Sequence, residues 1–218
     1  VWLDIPLDVQ GAFIEEDELI GFDKEKYEAG EDGWAYESPY KTDLDDKTKL
    51  DLSDMPKPLS DEVLKEIVEK IKNSKRPVFN AGNGIRIGNA HKEFLELADL
   101  LNIPVVVGWN SEDCMWVDHP LYAGRPGNFG DRPGNFTVQN SDLVLSVGSR
   151  LSLRQVGFNC KGWAREAFTI VNDIDGEELK KPTVHIDIPV HADCKVFMRQ
   201  LIDFLKKEKT PVFEGGKG

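Results

Sequence analysis

The sequence is poor in the residues and runs that define several protein classes. It has three cysteines, at positions 114, 160 and 194, and no CxxC pair, which argues against a zinc ribbon and a dithiol redox motif. No apolar run approaches the roughly 18–20 residues that a membrane-spanning helix needs. A sparse, odd number of cysteines suits a reducing compartment, so we expect a cytoplasmic protein that does not bind membranes.

Basic residues are also scarce, and the deficit lies in one segment. Residues 12–58 hold 15 acidic and 6 basic residues, whereas residues 59–218 hold 22 and 21. The nearly neutral body argues against nucleic-acid binding driven by charge. We interpret residues 12–58 as an acidic connector between domains, because the segment also carries aromatic residues that a disordered chain would lack.

The first ten residues predict a buried strand that runs into a loop. A strand is stable only beside other strands, and none is predicted nearby. We therefore expect residues 1–11 to be the last strand of a domain whose remainder is not in this sequence. We predict that this strand docks on the surface of the body or pairs with a neighbouring chain, and does not join the central sheet.

From Leu59 onwards, helices alternate with short apolar strands. Helical spacing predicts helices that begin near Ser60, after Gly84, near Asn135 and near Asp193. This alternation indicates an α/β fold with three layers, a Rossmann-like parallel sheet of about five to six strands with helices on both faces. We expect the domain to span 59–208 and residues 209–218 to form a tail. Strands are predicted at 78–81, 105–107, 143–147, 167–171 and 184–188.

Three of these strands end in glycine at the edge of the sheet where such folds bind ligands. The sequences are Gly82-Asn83-Gly84, Gly108-Trp109-Asn110 and Gly148-Ser149-Arg150. Glycine allows a ligand to approach the backbone closely, and a helix that begins at Gly84 would favour an anion. The spacing is not that of a GxGxxG fingerprint. Both ligand contact and simple turn geometry therefore remain open as explanations.

Arginine residues are predicted at the same edge. The sequence RPGNF occurs at 125–129, which we interpret as a loop over the edge, and again at 132–136, which we interpret as the entry to a helix. Their arginines either contact phosphates or form surface salt bridges. Arg150 and Arg154 follow the third strand, where two guanidinium groups suit a diphosphate or a carboxylate.

Two histidine–aspartate pairs have a spacing typical of metal ligands. Alternation would place His185 and Asp187 on one face of a strand. His191 and Asp193 follow Pro189 and are predicted to lie on other elements. Structural histidines are therefore favoured over a metal site, and local motifs provide no Ser-His-Asp or Cys-His set.

The motifs, in their order, resemble the thiamine-diphosphate-dependent enzymes of the acetolactate synthase family. Val1–Gln10 resembles the exit strand of their pyrimidine-binding domain, and residues 59–206 resemble their central domain. The quoted matches are the glycine loop at 124–130, the NSD strand entry and GxR turn at 140–150, the HIDID…EIGK-like stretch at 171–180 and the DIP…D-like stretch at 187–193.

The resemblance implies that other domains of the parent protein carry the active site. In the family, the first domain supplies the glutamate that activates thiamine, and the third supplies a GDG-x(n)-N motif for Mg²⁺ and diphosphate. This chain contains no GDG triplet, so we expect it neither to bind thiamine diphosphate nor to be catalytic alone. The parent would act on 2-oxo acids as a homo-oligomer, with thiamine diphosphate providing the carbanion chemistry.

The resemblance also implies a nucleotide site, since acetolactate synthases hold FAD in the central domain and some relatives hold ADP. One departure is Leu151-Ser152-Leu153, where the flavin binders have FDD. Decarboxylase relatives bind nothing there, so a non-binding scaffold or oligomerisation domain is the alternative. An NAD-binding domain of the sirtuin or deoxyhypusine-synthase type is disfavoured by the motif order. The implied cofactor contacts are Gly82, Asn83, Gly84, Gly108, Asn110, Ser111, Asn128, Phe129, Gly130, Arg150, Arg154, Asp173 and Ile174.

Overall fold

The computed structural model describes residues 56–208, which contain a five-stranded sheet of order β2-β1-β3-β4-β5. All four pairings are parallel, so the predicted α/β class is confirmed. The predicted strand at 1–10, the connector up to residue 55 and the tail from residue 209 lie outside the described residues. The strands are β1 (Pro77–Ala81), β2 (Val105–Val107), β3 (Leu143–Val147), β4 (Phe168–Asp173) and β5 (Ile188–His191).

Six α-helices surround the sheet within the same residues. None of them is long and apolar enough to cross a bilayer. Two 3-10 turns, Glu112–Cys114 and Cys160–Gly162, complete the regular structure of the described part. The helices are α1 (Asp61–Asn73), α2 (Gly84–Ile87), α3 (His91–Leu101), α4 (Arg132–Gln139), α5 (Leu153–Val156) and α6 (Cys194–Glu208).

One face of the sheet is covered by the three long helices α1, α3 and α6. Phe79, Leu145 and Ile170, from three neighbouring strands, form one buried cluster with apolar residues of these helices, such as Phe94 and Phe197. The alternation of side chains along each strand sends every second residue into this layer. We call this the helix-covered face.

The opposite face, which we call the loop-covered face, is protected by shorter pieces. Val78, Val144 and Val171 form a second buried cluster there, together with Val138 of α4 and Trp163 from a loop. Helix α4 has eight residues and α5 only four. Irregular segments supply the remaining cover, and the cavities described below contact this side of the sheet.

The predicted bounds of the fifth strand were wrong. The prediction is residues 184–188, whereas β5 begins at Ile188 and runs through Pro189 to His191. Among residues 56–208, the strand lies at the edge of the sheet and pairs with β4 alone. A proline is tolerated on an edge strand because its missing N–H can face away from the ladder.

The helix predicted after Gly84 is split in two. The four-residue helix α2 ends at Ile87 and is capped by Gly88, Asn89 has a φ of 49°, and α3 then begins at His91. The long apolar helix therefore exists, but it does not begin at the carboxyl end of β1.

The loops after β1 and β3 touch each other, because these two strands are neighbours where the chain changes direction across the sheet. Gly82 N–H donates to Val147 O at 2.9 Å, and Gly84 N–H donates to Gly148 O at 2.8 Å. A Cβ atom on Gly82 would lie 2.2 Å from Gly148 O, and Gly148 has a φ of +62°. Close backbone packing therefore requires these glycines, and the positive φ at Gly148 also favours glycine there.

The NSD motif organises the opposite, amino-terminal edge of the sheet. The Asp142 carboxylate accepts hydrogen bonds from the Ser74 hydroxyl, from Lys75 N–H at 2.9 Å and from Arg76 N–H at 2.8 Å. Asp142 O accepts from Phe168 N–H at 2.9 Å. One residue thus connects the starts of β1, β3 and β4.

We predict that Gly82→Ala destabilises the protein by about 1–3 kcal/mol, because the added methyl group must displace the backbone of Gly148. Gly176→Ala is the matched control, since its Cβ would lie no closer than 3.4 Å to the His191 ring. Urea unfolding at constant m-value measures both. Equal midpoints for the two variants would contradict the proposed packing role of Gly82.

We predict that the effect of Asp142→Asn depends on pH. Burial raises the pKa of the Asp142 carboxyl, but the hydrogen bonds from Ser74, Lys75 and Arg76 outweigh it and hold this pKa below its usual value. A depressed carboxyl pKa stabilises the fold above the unfolded pKa, about 3.9, and this stabilisation is lost as the pH falls through the folded pKa.

The loss in unfolding free energy should therefore be largest near neutral pH, at about 1–3 kcal/mol, and should shrink below about pH 4. Urea unfolding of the wild type and the variant, measured from neutral pH to below about pH 4, tests this pH dependence. Asp99→Asn, at an exposed position of α3, is the control. A constant difference across the pH range would show that the charge of Asp142 contributes nothing.

Candidate functional site

A cavity of about 320 Å³ lies between the loops that follow β1, β2 and β3. Parallel sheets bind ligands at this position, where the chain changes direction across the sheet. The structure therefore brings together predicted residues from three separate loops. The predicted residues that line the cavity are Asn83, Gly84, Asn110, Arg150 and Arg154.

A second cavity, of about 430 Å³, continues the first. The two share Arg150, Leu151, Ser152 and Arg154, and the second extends to Glu178 and Lys181. We call the two together the edge trough. Each is within the range of about 300–1,000 Å³ typical of small-molecule sites.

Two exposed aromatic rings stand at one end of the edge trough. Trp109, which lines the first cavity, and Phe129 have 51% and 70% of their surface exposed, and their ring centroids lie 6.1 Å apart. The Arg154 guanidinium lies 5.0 Å from the centroid of the Trp109 ring. Exposed rings next to a guanidinium form a surface on which a flat aromatic ligand can stack.

The edge trough is positively charged. Its lining contains three cations, Arg150, Arg154 and Lys181, and one carboxylate, Glu178. Arg150 Nε and Nη2 lie 2.9 and 2.6 Å from Glu178 Oε1, and Lys181 Nζ lies 2.9 Å from Oε2. The surplus of positive charge favours an anionic ligand.

The same contacts shift the pKa values of the ion pair. The hydrogen bond from Lys181 is the main cause that lowers the pKa of Glu178, and the bond from Arg150 adds to it, against the effect of partial burial. The Glu178 carboxylate in turn raises the pKa of Arg150. Arg150 is thus held by a protein carboxylate, whereas Arg154 contacts the Trp109 ring.

Several predicted contacts shape the edge and do not line the edge trough. Ser111 is fully buried, and its hydroxyl lies 2.8 Å from Ala81 O, to which it can donate. Gly108 N–H donates to the same carbonyl at 3.0 Å. Gly130 packs against backbone, since a Cβ atom there would lie 2.1 Å from Arg125 O. These residues, like Gly82, hold the loops together.

The two RPGNF copies pack against each other, and their interpretation as loop and helix entry is confirmed. Gly127 N–H, in the first copy, donates to Asn135 Oδ1 at 2.9 Å, and Asn135 Nδ2 donates to Gly127 O at 3.2 Å. Asp131 caps α4 by accepting from Gly134 N–H at 2.7 Å. The second copy therefore holds the first in place.

Asn128 connects this glycine loop to the trough wall. Its N–H donates to Arg154 O at 2.8 Å, and its side-chain amide donates to Leu153 O at 3.2 Å. Neither Asn128 nor Phe129 lines the trough cavities. Asn128 therefore acts on the site by fixing the backbone beside Arg154.

The arginines of the two copies lie outside the trough lining. Arg125 forms an ion pair with Glu112, and the Arg132 guanidinium lies 5.1 Å from the centroid of the Phe136 ring. The salt-bridge explanation therefore fits Arg125.

The end of β4 also lies outside the trough lining. Asp173 is buried, and its Oδ1 accepts from Asp175 N–H at 3.0 Å. Ile174 is exposed, and its carbonyl lies 3.0 Å from His191 Nε2. The predicted ribose contact at Asp173 therefore does not line either cavity of the edge trough.

The histidine–aspartate pairs are divided among several elements. His185 Nε2 lies 2.9 Å from Asp187 Oδ1, whereas Asp193 accepts from the N–H groups of Lys195 and Val196 at the start of α6. Between residues 56 and 208, no group of three or more metal-ligating side chains is present.

A buried polar network lies beneath the edge trough and was not predicted from the sequence. Asn80 pairs with Ser146 across β1 and β3, and its Nδ2 donates to Ser146 Oγ at 2.9 Å. Gln155 Nε2 donates to Asn80 Oδ1 at 2.6 Å, and Ser149 Oγ donates to Gln155 Oε1 at 2.9 Å. The visible signal was a polar residue inside each of two apolar strands.

Comparisons with known proteins agree with this architecture. The family model described as "Thiamine pyrophosphate enzyme, central domain" matches residues 64–201. The chain is 36% identical over 139 residues to a probable acetolactate synthase large subunit of Methanococcus aeolicus, covering 64% of this chain and 23% of that protein.

Two further relatives carry similar names. A probable acetolactate synthase large subunit of Methanocaldococcus jannaschii is 37% identical over 139 residues, covering 64% of this chain and 23% of that protein. An acetolactate synthase of Mycobacterium avium is 32% identical over 148 residues, covering 68% and 24%. The chain thus spans about a quarter of the length of these relatives, and it belongs to the family of thiamine pyrophosphate enzyme central domains.

Proposed function

We propose that the chain is the central domain of an acetolactate-synthase-like enzyme that acts on 2-oxo acids, and that its edge trough holds a nucleotide such as FAD or ADP. The observation that carries the nucleotide proposal is the edge trough itself, which joins two cavities along the loops after β1, β2 and β3. Its two cavities share lining residues, its charge is positive, and the Trp109 ring in its lining lies next to the Phe129 ring.

Each part of the trough suits one part of a nucleotide. The Trp109 and Phe129 rings provide a stacking surface for an adenine or isoalloxazine ring. Arg154, whose guanidinium is not bound to a carboxylate within the described residues, provides a charge-assisted contact for a phosphate. Asn83 and Asn110 add side-chain amides that can both donate and accept.

A non-binding scaffold is the second candidate, and one observation favours it. Arg150 already pairs with Glu178, so part of the positive charge is satisfied without a ligand. In that case the domain would only position its neighbours and contribute to a homo-oligomer. Ligand binding by the trough separates the two candidates.

We assign catalysis by the parent protein to domains other than the central domain. We propose that thiamine diphosphate and Mg²⁺ bind to pyrimidine- and diphosphate-binding domains of the parent, since this chain lacks a GDG triplet. The bound cofactor would supply the carbanion that attacks the oxo acid. We propose the same division of the chain as above, into a terminal strand (1–11), a connector (12–58), the central domain (59–208) and a tail (209–218). The three free cysteines support the proposal of a reducing compartment such as the cytoplasm.

We predict that FAD or ADP raises the melting temperature of the purified 218-residue chain. A ligand at 100 times its Kd adds about 2.7 kcal/mol of stability. Arg154→Ala should weaken binding about tenfold, as expected for the loss of one charge-assisted contact. Lys65→Ala, which removes a positive charge from the exposed surface of α1, should leave the affinity unchanged. The absence of any shift with either nucleotide at saturation would favour the scaffold.

We predict that Trp109→Leu weakens nucleotide binding about three- to tenfold, because a stacking surface contributes about 0.5–1.5 kcal/mol. Isothermal titration of the wild type and the variant measures the change. Phe136→Leu is the control, since this exposed ring lies on α4 beside Arg132 and outside the trough lining. Equal losses for both variants would place the ligand elsewhere.

A further inference from the structure

A third cavity, of about 570 Å³, opens on the loop-covered face beside the start of β4. It is formed by the segment after the Cys160–Gly162 turn and by the segment that leads into β5. It shares Lys181 and Thr183 with the edge trough, and its other lining residues differ. We call it the β4 cavity.

The wall of the β4 cavity is partly apolar and well buried. Trp163, Ala164 and Val184 line it and belong to the second hydrophobic cluster, with 3–6% of their surface exposed. Leu179 and Ile186 are half-buried and extend this surface. An apolar body of a ligand would displace water from these side chains and gain hydrophobic burial.

Trp163 carries an unsatisfied donor in this wall. Its side chain is 6% exposed, and its indole Nε1 is buried with no hydrogen-bond partner among the described residues. A buried donor without an acceptor is costly, and such groups are rare in folded proteins. Because this nitrogen has no accessible surface, the indole contributes its ring, and not its N–H, to the wall of the cavity.

Four basic side chains and no acidic side chain line the β4 cavity. The four are Lys161, Arg165, Lys181 and His185. Lys181 is bound to Glu178, and His185 contacts Asp187. Arg165 makes only a long, exposed contact of 3.8 Å with Glu166, and Lys161 has no ion pair within residues 56–208. Two cations are therefore available for a ligand.

We propose that the β4 cavity binds a small organic anion with an apolar body, a carboxylate or a phosphate ester. Lys161 and Arg165 hold the anionic head, and the apolar body packs against Trp163 and Val184. This site goes beyond the nucleotide proposal, because its two available cations and its apolar wall are not part of the edge trough.

Cys160 provides a reporter within the same cavity. It lines the β4 cavity and is half-buried, whereas Cys114 and Cys194 are buried, and burial raises the pKa of each thiol to about 11. Because the thiolate is the form that reacts, iodoacetamide should modify Cys160 first in the folded chain. A ligand in the cavity should slow that modification.

The test measures the rate of Cys160 modification by mass spectrometry, with and without the anionic fluorophore 8-anilinonaphthalene-1-sulfonate. We expect saturating fluorophore to slow the reaction at least fivefold. Phenylacetate and phenyl phosphate then serve as probes without fluorescence, and protection by one of them identifies carboxylates or phosphate esters as the ligand class. Protection by both supports the proposal in its general form, in which the ligand is an anion with an apolar body.

Variants separate this site from the edge trough. The double variant Lys161→Gln and Arg165→Gln alters exposed side chains, so it should fold with an unchanged circular dichroism spectrum, and it should need at least tenfold more ligand for protection. In the variant Trp109→Leu, which alters the edge trough, the ligand should protect Cys160 as it does in the wild type. Absence of protection by phenylacetate and phenyl phosphate, or equal protection of the double variant, would overturn the proposal without affecting the nucleotide proposal.

Discussion

The contact between the loops after β1 and β3 is the constraint on which the rest of the described structure depends. Gly82 and Gly84 donate to the carbonyls of Val147 and Gly148, and side chains at these glycines would collide with backbone. Because the two loops are joined, Asn80 and Ser146 are held side by side beneath them. The contact also fixes the position of the residues after Gly148, which line the edge trough together with Asn83 and Gly84.

The two faces of the sheet divide stability and binding between them. The helix-covered face holds large side chains that are fully buried, such as Phe79, Phe94 and Phe197, under long helices. Within residues 56–208, the loop-covered face is covered by α4, α5 and irregular segments. Residues of its hydrophobic cluster line the second cavity of the trough and the β4 cavity. Irregular cover leaves spaces that helices of full length would fill, so the ligand proposals concern this side of the domain.

The sequence predicted those features that depend on local patterns. The bounds of β2 and β3 are as expected, because short apolar runs before glycine have few other interpretations. The position of β5 was wrong, because whether a strand can contain Pro189 depends on its place at the edge of the sheet. Arg150 and Arg154 could be placed near Asn83 from topology alone. The inward direction of Ser111 and the contact of Gln155 with Asn80 depend on tertiary packing. The polar residues within two apolar strands signal a buried network, but they do not identify its partner Gln155.

The stretch Leu151-Ser152-Leu153 shows how the trough acquires its charge. Leu151 is buried with a φ of 48°, so it anchors the turn, while Ser152 lies exposed between the two arginines and lines both trough cavities. A carboxylate at this position would offset the charge of Arg154, as Glu178 does for Arg150. With serine there, no carboxylate of this turn offsets the charge of Arg154. Under the nucleotide proposal, the phosphates of the ligand would therefore meet a guanidinium that has no carboxylate partner within residues 56–208, next to the ring of Trp109.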